Sequence, residues 1–402
     1  MKTLDTYLTE TNTRKVDDTD LYLFTMMWAV MNHFPNARVR YEFVNRNKNT
    51  VYPPNFAANL RKRIHNQSGI YLTNDRINLI KRKCPYLPDL YLDFLRGYRF
   101  DPSEISIAQF DGKIEIIIEG LWYRTILWEV FLLSEVSELY YLMTEIKPTE
   151  TEAWIKNYNN SKATHFMMNN VRYADFGTRR RYSHEHHSNV LQSLMSYGRS
   201  NFIGTSNVAF AIDNNTKVVG TYSHCWVSGV ASIMGYQHAN KYAMELWTET
   251  YGGDLGIALT DTFGLDAFLN DFDLKYAKLF DGVRHDSGDP FIFTDRIVEH
   301  YHSLKIDPIA SNKTIVFSDG LNPELAIKLN DYCRGKIHAS FGIGTNLTND
   351  LPGVEPLNIV IKLFSLDGKP TIKLSDVEGK HTGDPETIDI VKKYIKYKPL
   401  SN

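Results

Sequence analysis

The 402-residue chain has only three cysteines, Cys84, Cys225 and Cys333, far apart and without CxxC or any other metal-ligand spacing. So sparse and odd a set excludes a disulfide framework and predicts reduced thiols in a cytoplasmic protein. Neither charge sign is in excess: 45 Lys and Arg face 47 Asp and Glu, for a net charge of −2. That balance argues against a nucleic-acid coat or a membrane-surface protein. Long hydrophobic runs are missing too. The first twenty residues have no apolar stretch of signal-peptide type. The greasiest segment, residues 114–136, is broken by Glu119, Arg124, Glu129 and Glu135, which does not suit a bilayer-spanning helix. No internal repeat and no low-complexity stretch is present. What is present, 43% hydrophobic and 23% charged residues, is the balance of a soluble globular chain. At this length it builds one large domain with a smaller one, or two to three ordinary ones.

The first third reads as mixed α and β. Residues 18–34 offer Thr19 and Asp20 as helix caps, then an apolar stripe of Leu21, Phe24, Trp28 and Met31 at helical spacing. Residues 37–46, ARVRYEFVNR, alternate as a strand does. The Ile114 region predicts a strand, a turn at Glu119-Gly120 and a buried helix to about Met143. Beyond Trp154 the texture changes to short apolar runs that end in small polar loops: NFIGTSN, KVVGTYSH, LGIALTDTF, AKLFDGVRHDSGD, KTIVFSDGLN and KIHASFGIGTN. Helical patterns lie between several of them, such as NPELAIKLNDYCRG, with proline in its first turn and glycine at its stop. Strand–loop–helix recurrence predicts a parallel sheet. Gly, Ser, Thr, Asp and His gather after each of these strands. A barrel brings all such ends to one face, whereas an open sheet joins only those at its switch point, so a barrel accounts for more of the pattern. The tail, NIVIKLFSLDGKPTIKLSD, is two alternating runs around Asp367-Gly368, a hairpin expected to join the N-terminal part.

Several loops carry chemistry. In GVRHDSGDP, Arg284 and Asp286 face one side of a strand end and His285 the other, and Ser287-Gly288 can turn Asp289 towards them. A guanidinium beside carboxylates suits anionic oxygens, ribose hydroxyls or Mg²⁺; the plainer reading is an Arg–Asp pair closing a turn. FSDGLNPE and FGIGTN can cradle a phosphate on backbone N–H groups, although glycine turns after strands are common. RYADFGTRRRYSHEHH sets Phe176 before three arginines, either a ring-stacking and anion-holding group or a solvated basic turn. Its histidines, His184, His186 and His187, lack the i, i+4 spacing of HExxH, which argues against a metal. His224, after VVGTYS, is by default a structural histidine. General base, metal ligand and phosphoryl acceptor compete with that reading. Cys225 as its only close partner in sequence disfavours the metal, and spacing does not separate the other two.

Taken in order, TDLYLFTM, YADFGTRRR, IGTSNVAFA, VGTYSHCW, VRHDSGDP, FSDGLN and FGIGTN resemble the nicotinate phosphoribosyltransferase family, from about Asp17 to about Asp376. The resemblance implies an irregular α/β barrel of the type II phosphoribosyltransferase kind with an N-terminal α+β domain. The expected division is residues 1–145, joined by the tail 355–402, and a barrel with the active site over 146–354. It implies transfer of phosphoribosyl from 5-phosphoribosyl-1-diphosphate to nicotinate in NAD salvage. ATP is the implied co-substrate, acting through a phosphohistidine, with substrate-bound Mg²⁺ and a homodimer with shared sites. Carried onto this sequence, the phosphorylated residue is His224, with Thr221 beside the nicotinate. Tyr22, reaching from the neighbouring subunit, and Phe176 sandwich the pyridine. Arg179 and Arg284 meet substrate anions, and Asp286 the ribose. Ser318, Asp319, Gly342, Gly344 and Thr345 line the phosphoribosyl pocket. Many members carry glutamate where Cys225 stands. Nicotinamide-using relatives carry aspartate at Ser206; a serine can donate to a carboxylate that an aspartate would repel, so Ser206, helped by Arg284, favours the acid. The rivals are a nicotinamide- or quinolinate-using transferase, a non-catalytic nucleotide-binding sensor and an unrelated barrel hydrolase with His224 as base. Quinolinate, a dicarboxylate, needs more cations than the sequence places.

Overall fold

In the computed structural model, residues 3–377 and 381–400 are described. Two sheets organise them. The strands are β1 (Arg38–Asn45), β2 (Ile105–Phe110), β3 (Lys113–Leu121), β4 (Tyr173–Asp175), β5 (Phe202–Thr205), β6 (Ile257–Leu259), β7 (Gly282–His285), β8 (Thr314–Phe317), β9 (His338–Ile343), β10 (Ile359–Leu366) and β11 (Lys369–Pro370). The first sheet is antiparallel in the order β11-β10-β1-β3-β2, so the tail pairs with an N-terminal strand. The hairpin forms where expected: Asp367 (φ 48°) and Gly368 (φ 76°) both take the left-handed conformation that a tight two-residue turn requires. The run after it, however, leaves the sheet. Leu374 N–H donates to the Thr262 carbonyl, so the chain runs to the other sheet and carries Lys373 there.

The second sheet is parallel, in the order β5-β4-β9-β8-β7-β6, with helices in the connections. Five of its strands are the runs read from sequence. The sixth is β4, inside RYADFG, and KVVGTYSH is not a strand. That segment extends the sheet by one bridge, Val218 to Thr205, and then departs. Side chains span the remaining gap to β6: the Thr221 hydroxyl donates to the Ile257 carbonyl at 2.8 Å, and the Tyr222 hydroxyl accepts from Leu259 N–H at 3.3 Å. The sheet is therefore barrel-like and irregular, and no ladder of hydrogen bonds closes it among the described residues.

Two further expectations are corrected. No turn occurs at Glu119-Gly120, because β3 continues to Leu121 and pairs Gly120 with Val39. A Cβ at Gly120 would sit 2.8 Å from Thr125, so the glycine serves close packing rather than a bend. The helix that follows starts at Trp122 and, after a break, runs over Trp128–Thr144. Asp20 does occupy the cap position of the helix Leu21–His33, but its carboxylate makes no capping bond and serves the site instead. None of the described helices is long and apolar enough to cross a membrane.

Candidate active site

The carboxyl ends of the parallel strands open into a cavity of about 1310 Å³. A single small ligand ordinarily needs roughly 300–1,000 Å³, so there is room for more than one substrate. Every residue carried over from the family resemblance lines it: Tyr22, Phe176, Arg179, Ser206, Thr221, His224, Arg284, Asp286, Ser318, Asp319, Gly342, Gly344 and Thr345.

At its centre is a closed triangle. Arg284 at the end of β7 donates from Nη2 to Asp286 Oδ1 (3.0 Å) and from Nε to Ser318 Oγ (2.8 Å), and Ser318 donates to Asp286 Oδ1 (2.6 Å). Strand alternation puts Arg284 and Asp286 on one side and turns His285 into the core, where it is 2% exposed. Burial pushes the Asp286 carboxyl up, but Arg284 and then His224 outweigh it and hold it at about 2. Asp289 does not join the triangle. It caps the helix Pro290–Ser303 by accepting from the N–H groups of Phe291 and Ile292.

His224 sits one step beyond the expected strand end. It opens the helix His224–Met234, capped by Ser223. Its Nε2 lies 2.8 Å from Asp261 Oδ1 and 3.6 Å from Asp286 Oδ2. Cys225 is its only close partner in sequence, but through space Asp261 and Asp286 reach it from the ends of β6 and β7. Burial lowers the imidazole pKa against the pull of Asp261, leaving a neutral ring. Asp261 is also raised by burial, but His224 and Lys373 bring it well below the usual carboxylate range. Its other oxygen accepts from Ser287 (2.7 Å) and lies 3.2 Å from Lys373 Nζ. Cys225 is half-buried, with its thiol pushed up to about 12 by desolvation and then by Glu129.

Tyr22 also lines the cavity of its own chain, where the resemblance implied a neighbouring subunit. Its hydroxyl donates to Glu129 Oε1 (3.0 Å), and Arg179 Nη1 stands 3.9 Å from that same oxygen. Phe176 packs its ring against Gly342 in β9. A Cβ at Gly342 would come within 2.3 Å of its ring, so that glycine is required by the aromatic packing. Gly344 and Thr345 open a helix of only four residues.

Ser206 differs from expectation. Its hydroxyl donates to Asp20 Oδ1 (2.8 Å), which also accepts from Thr178 (2.7 Å), so the proton meant for a substrate carboxylate is already committed. Arg284, its expected helper, is held through Nε and Nη2 in the triangle, which leaves only Nη1, 3.4 Å from the Tyr222 carbonyl, for a substrate anion. Arg179, with its side chain 41% exposed and only a 3.9 Å pairing with Glu129, is a guanidinium able to turn to a ligand. Ser206→Asp sets a second carboxylate against Asp20, a like-charge contact that costs several kcal/mol when desolvated. We expect nicotinate kcat/KM to fall by about tenfold or more together with the melting temperature. Unchanged acceptor kinetics and an unchanged melting curve would refute this reading.

The three clustered histidines go separate ways: His187 pairs with Asp175 at 2.8 Å, His184 stands 4.0 Å from Asp18, and His186 packs on Tyr182. The residues that sequence reasoning missed are Asp261, Glu129, Lys373 and Asp20. Asp261 had a signal, because LTDTF follows an apolar run like the other site loops. Glu129 had none, being hidden inside a greasy helix.

A neutral imidazole at a helix start, held on a carboxylate, and a guanidinium–carboxylate–hydroxyl triangle at the ends of parallel strands define an α/β enzyme that handles anionic substrates. The profile of the Nicotinate phosphoribosyltransferase (NAPRTase) family matches residues 171–398, and that of its N-terminal domain matches residues 18–137. The nicotinate phosphoribosyltransferase of Chromohalobacter salexigens is 46% identical over 94% of this chain and 97% of its own. That of Desulforapulum autotrophicum is 47% identical over 92% and 96%. The crystal structure of the Porphyromonas gingivalis enzyme superposes with a TM-score of 0.92 at 41% identity, covering 96% of this chain and 100% of that one. The chain belongs to the nicotinate phosphoribosyltransferase family.

Proposed function

We propose that this enzyme transfers 5-phosphoribosyl from 5-phosphoribosyl-1-diphosphate to nicotinate, releasing diphosphate and nicotinate mononucleotide in NAD salvage. ATP hydrolysis is coupled to the transfer through phosphorylation of His224. The observation that carries this reading is the neutral His224 imidazole, held at Nε2 by Asp261 in the same cavity as the Arg284–Asp286–Ser318 triangle.

Asp261 is ionised and only accepts, so Nε2 carries the proton and Nδ1 keeps its lone pair. Nδ1 is then the nucleophile towards the γ-phosphoryl of ATP: the N–P bond forms as the bond to the bridging oxygen breaks, ADP leaves, Asp261 stabilises the charge on the ring, and water later hydrolyses the phosphohistidine to phosphate. The phosphoryl group forms at the N-terminus of an 11-residue helix, where backbone N–H groups favour an anion. In the transfer step the C1–diphosphate bond of the ribose breaks as positive charge grows at C1. Arg284 receives anionic oxygens, Asp286 holds ribose hydroxyls, and Ser318 and Asp319 bound the phosphoribosyl group. Tyr22 and Phe176 clasp the pyridine ring, and Arg179 pairs with its carboxylate. That guanidinium has no counterpart on nicotinamide, which favours the acid over the amide.

The residues present also fit magnesium carried in on the diphosphate. His224, Asp261 and Asp286 offer ligand atoms within 4.8 Å of one another, and Asp286, the less committed carboxylate, would hold the ion. Bound there, it would neutralise charge on the departing diphosphate. The enzyme is proposed to work as a cytoplasmic homodimer, each chain supplying its own Tyr22 and Phe176. Incubation with γ-labelled ATP tests the reading: acid-labile label should appear on the protein and map to His224. Unlabelled protein alongside active transfer would sink the phosphohistidine.

A further inference from the structure

Glu129 has no part in the scheme above, yet it stands in the nicotinate wall of the cavity. It lies on the helix Trp128–Thr144 and is 7% exposed. Its Oε1 joins two of the groups assigned to the pyridine substrate: the Tyr22 hydroxyl donates to it at 3.0 Å, and Arg179 Nη1 is 3.9 Å away. The longer distance matters. It is too great for a hydrogen bond, so Arg179 is attracted without being locked and can turn to a second carboxylate.

We propose that Glu129 sets the affinity for nicotinate by competing with the substrate carboxylate for Arg179, so that nicotinate binds best to the protonated form of Glu129. This rests on the nicotinate reading and adds a positioning residue to it. Two carboxylates cannot both be ionised against one guanidinium at low cost, because each disfavours charge on the other. When nicotinate pairs with Arg179, Glu129 therefore draws a proton from solvent, and the charge around Arg179 stays balanced. Tyr22, donating to the same oxygen, is held at one edge of the ring site in both states.

The surroundings place that exchange in the working pH range. Burial pushes the Glu129 carboxyl up to about 7, against the pull of Arg179 and the hydrogen bond from Tyr22, with Asp20 adding to the rise. The other titratable groups facing it are Tyr22, on the helix Leu21–His33, and Tyr41, on β1, both well above their ordinary value, and the Cys225 thiol at about 12. None of these three titrates between pH 6 and 8. Asp20 is itself raised by burial but is already satisfied by Thr178 and Ser206. The sign follows. Below about pH 7 Glu129 is neutral and Arg179 is available; above it, the ionised Glu129 opposes nicotinate, which stays anionic throughout.

The test is the pH dependence of the nicotinate KM, from pH 6 to 8.5 with donor and ATP saturating, in the wild type and in Glu129→Gln. Glutamine keeps an acceptor for Tyr22 but carries no charge. The wild-type KM should rise with pH, approaching roughly tenfold per unit above the transition, and the rise should be absent in Glu129→Gln. A KM that shifts equally at all pH values in the variant, keeping the wild-type slope, would make Glu129 merely structural and overturn the proposal. A flat wild-type profile overturns it as well. Absence of nicotinate turnover at every pH instead overturns the substrate reading beneath it. Should Glu129→Gln not fold, nicotinate titrated calorimetrically into the wild type at pH 7, in two buffers of different ionisation enthalpy, reports the same exchange. Net proton uptake is expected, and its absence is decisive against the idea.

Discussion

His224→Asn is expected to abolish ATP stimulation while leaving slow, ATP-independent transfer. Asparagine still fits the first turn of the helix and can still donate to Asp261, but it offers no imidazole nitrogen to a phosphoryl group. The loss is confined to coupling because His224 lies beside the Arg284–Asp286 pair without belonging to the triangle. Coupling between two ligands is typically about 1–3 kcal/mol, or roughly 5–150-fold, and a stimulation of that order should vanish. The measurement is the initial rate of nicotinate mononucleotide formation with and without ATP, paired with the labelling experiment. A variant that retains full ATP coupling would show that some other group accepts the phosphoryl.

Arg284→Ala should be the most damaging single change in the donor pocket. The guanidinium makes two of the three bonds of the triangle. Its removal deletes a preorganised cation and leaves the Asp286 carboxylate without the partner that chiefly holds it low. Removing one preorganised electrostatic donor costs about 10²–10³-fold in catalysis, and a fall of that size is expected in kcat/KM for the phosphoribosyl donor. Arg284→Lys should restore little, because an ammonium cannot reach Asp286 and Ser318 together as a planar fork does. Loss of less than tenfold in the alanine variant, with the fold intact by circular dichroism, would remove Arg284 from the donor site.

Much of this site could be read from sequence because its residues sit where strands end, and strand ends are marked by small polar residues after apolar runs. The same rule misfired at KVVGTYSH, where two valines and a glycine have the composition of a strand but only Val218 bridges. The remainder of that segment is held by the Thr221 and Tyr222 side chains, an arrangement that has no periodicity to detect. It misfired again at β4, whose three residues are too short to show alternation. Ser206 lines the cavity, but the partner of its hydroxyl, Asp20, lies 186 residues away and has the look of a helix cap in the sequence. His224 was recognised without its partner for a similar reason: Asp261 is 37 residues further on, after a different strand.

By itself, the sequence determined the class of fold, the loops that carry chemistry and the family, because apolar periodicity and ordered local motifs are properties of short stretches of chain. Only the tertiary structure decided which charges face each other. It set Asp261 against His224, closed Arg284 on Asp286 and Ser318, and turned the buried Glu129 towards Tyr22 and Arg179. Electrostatic pairing depends on distances through space of a few ångströms between residues tens to hundreds of positions apart. Those distances exist only once the sheets are packed.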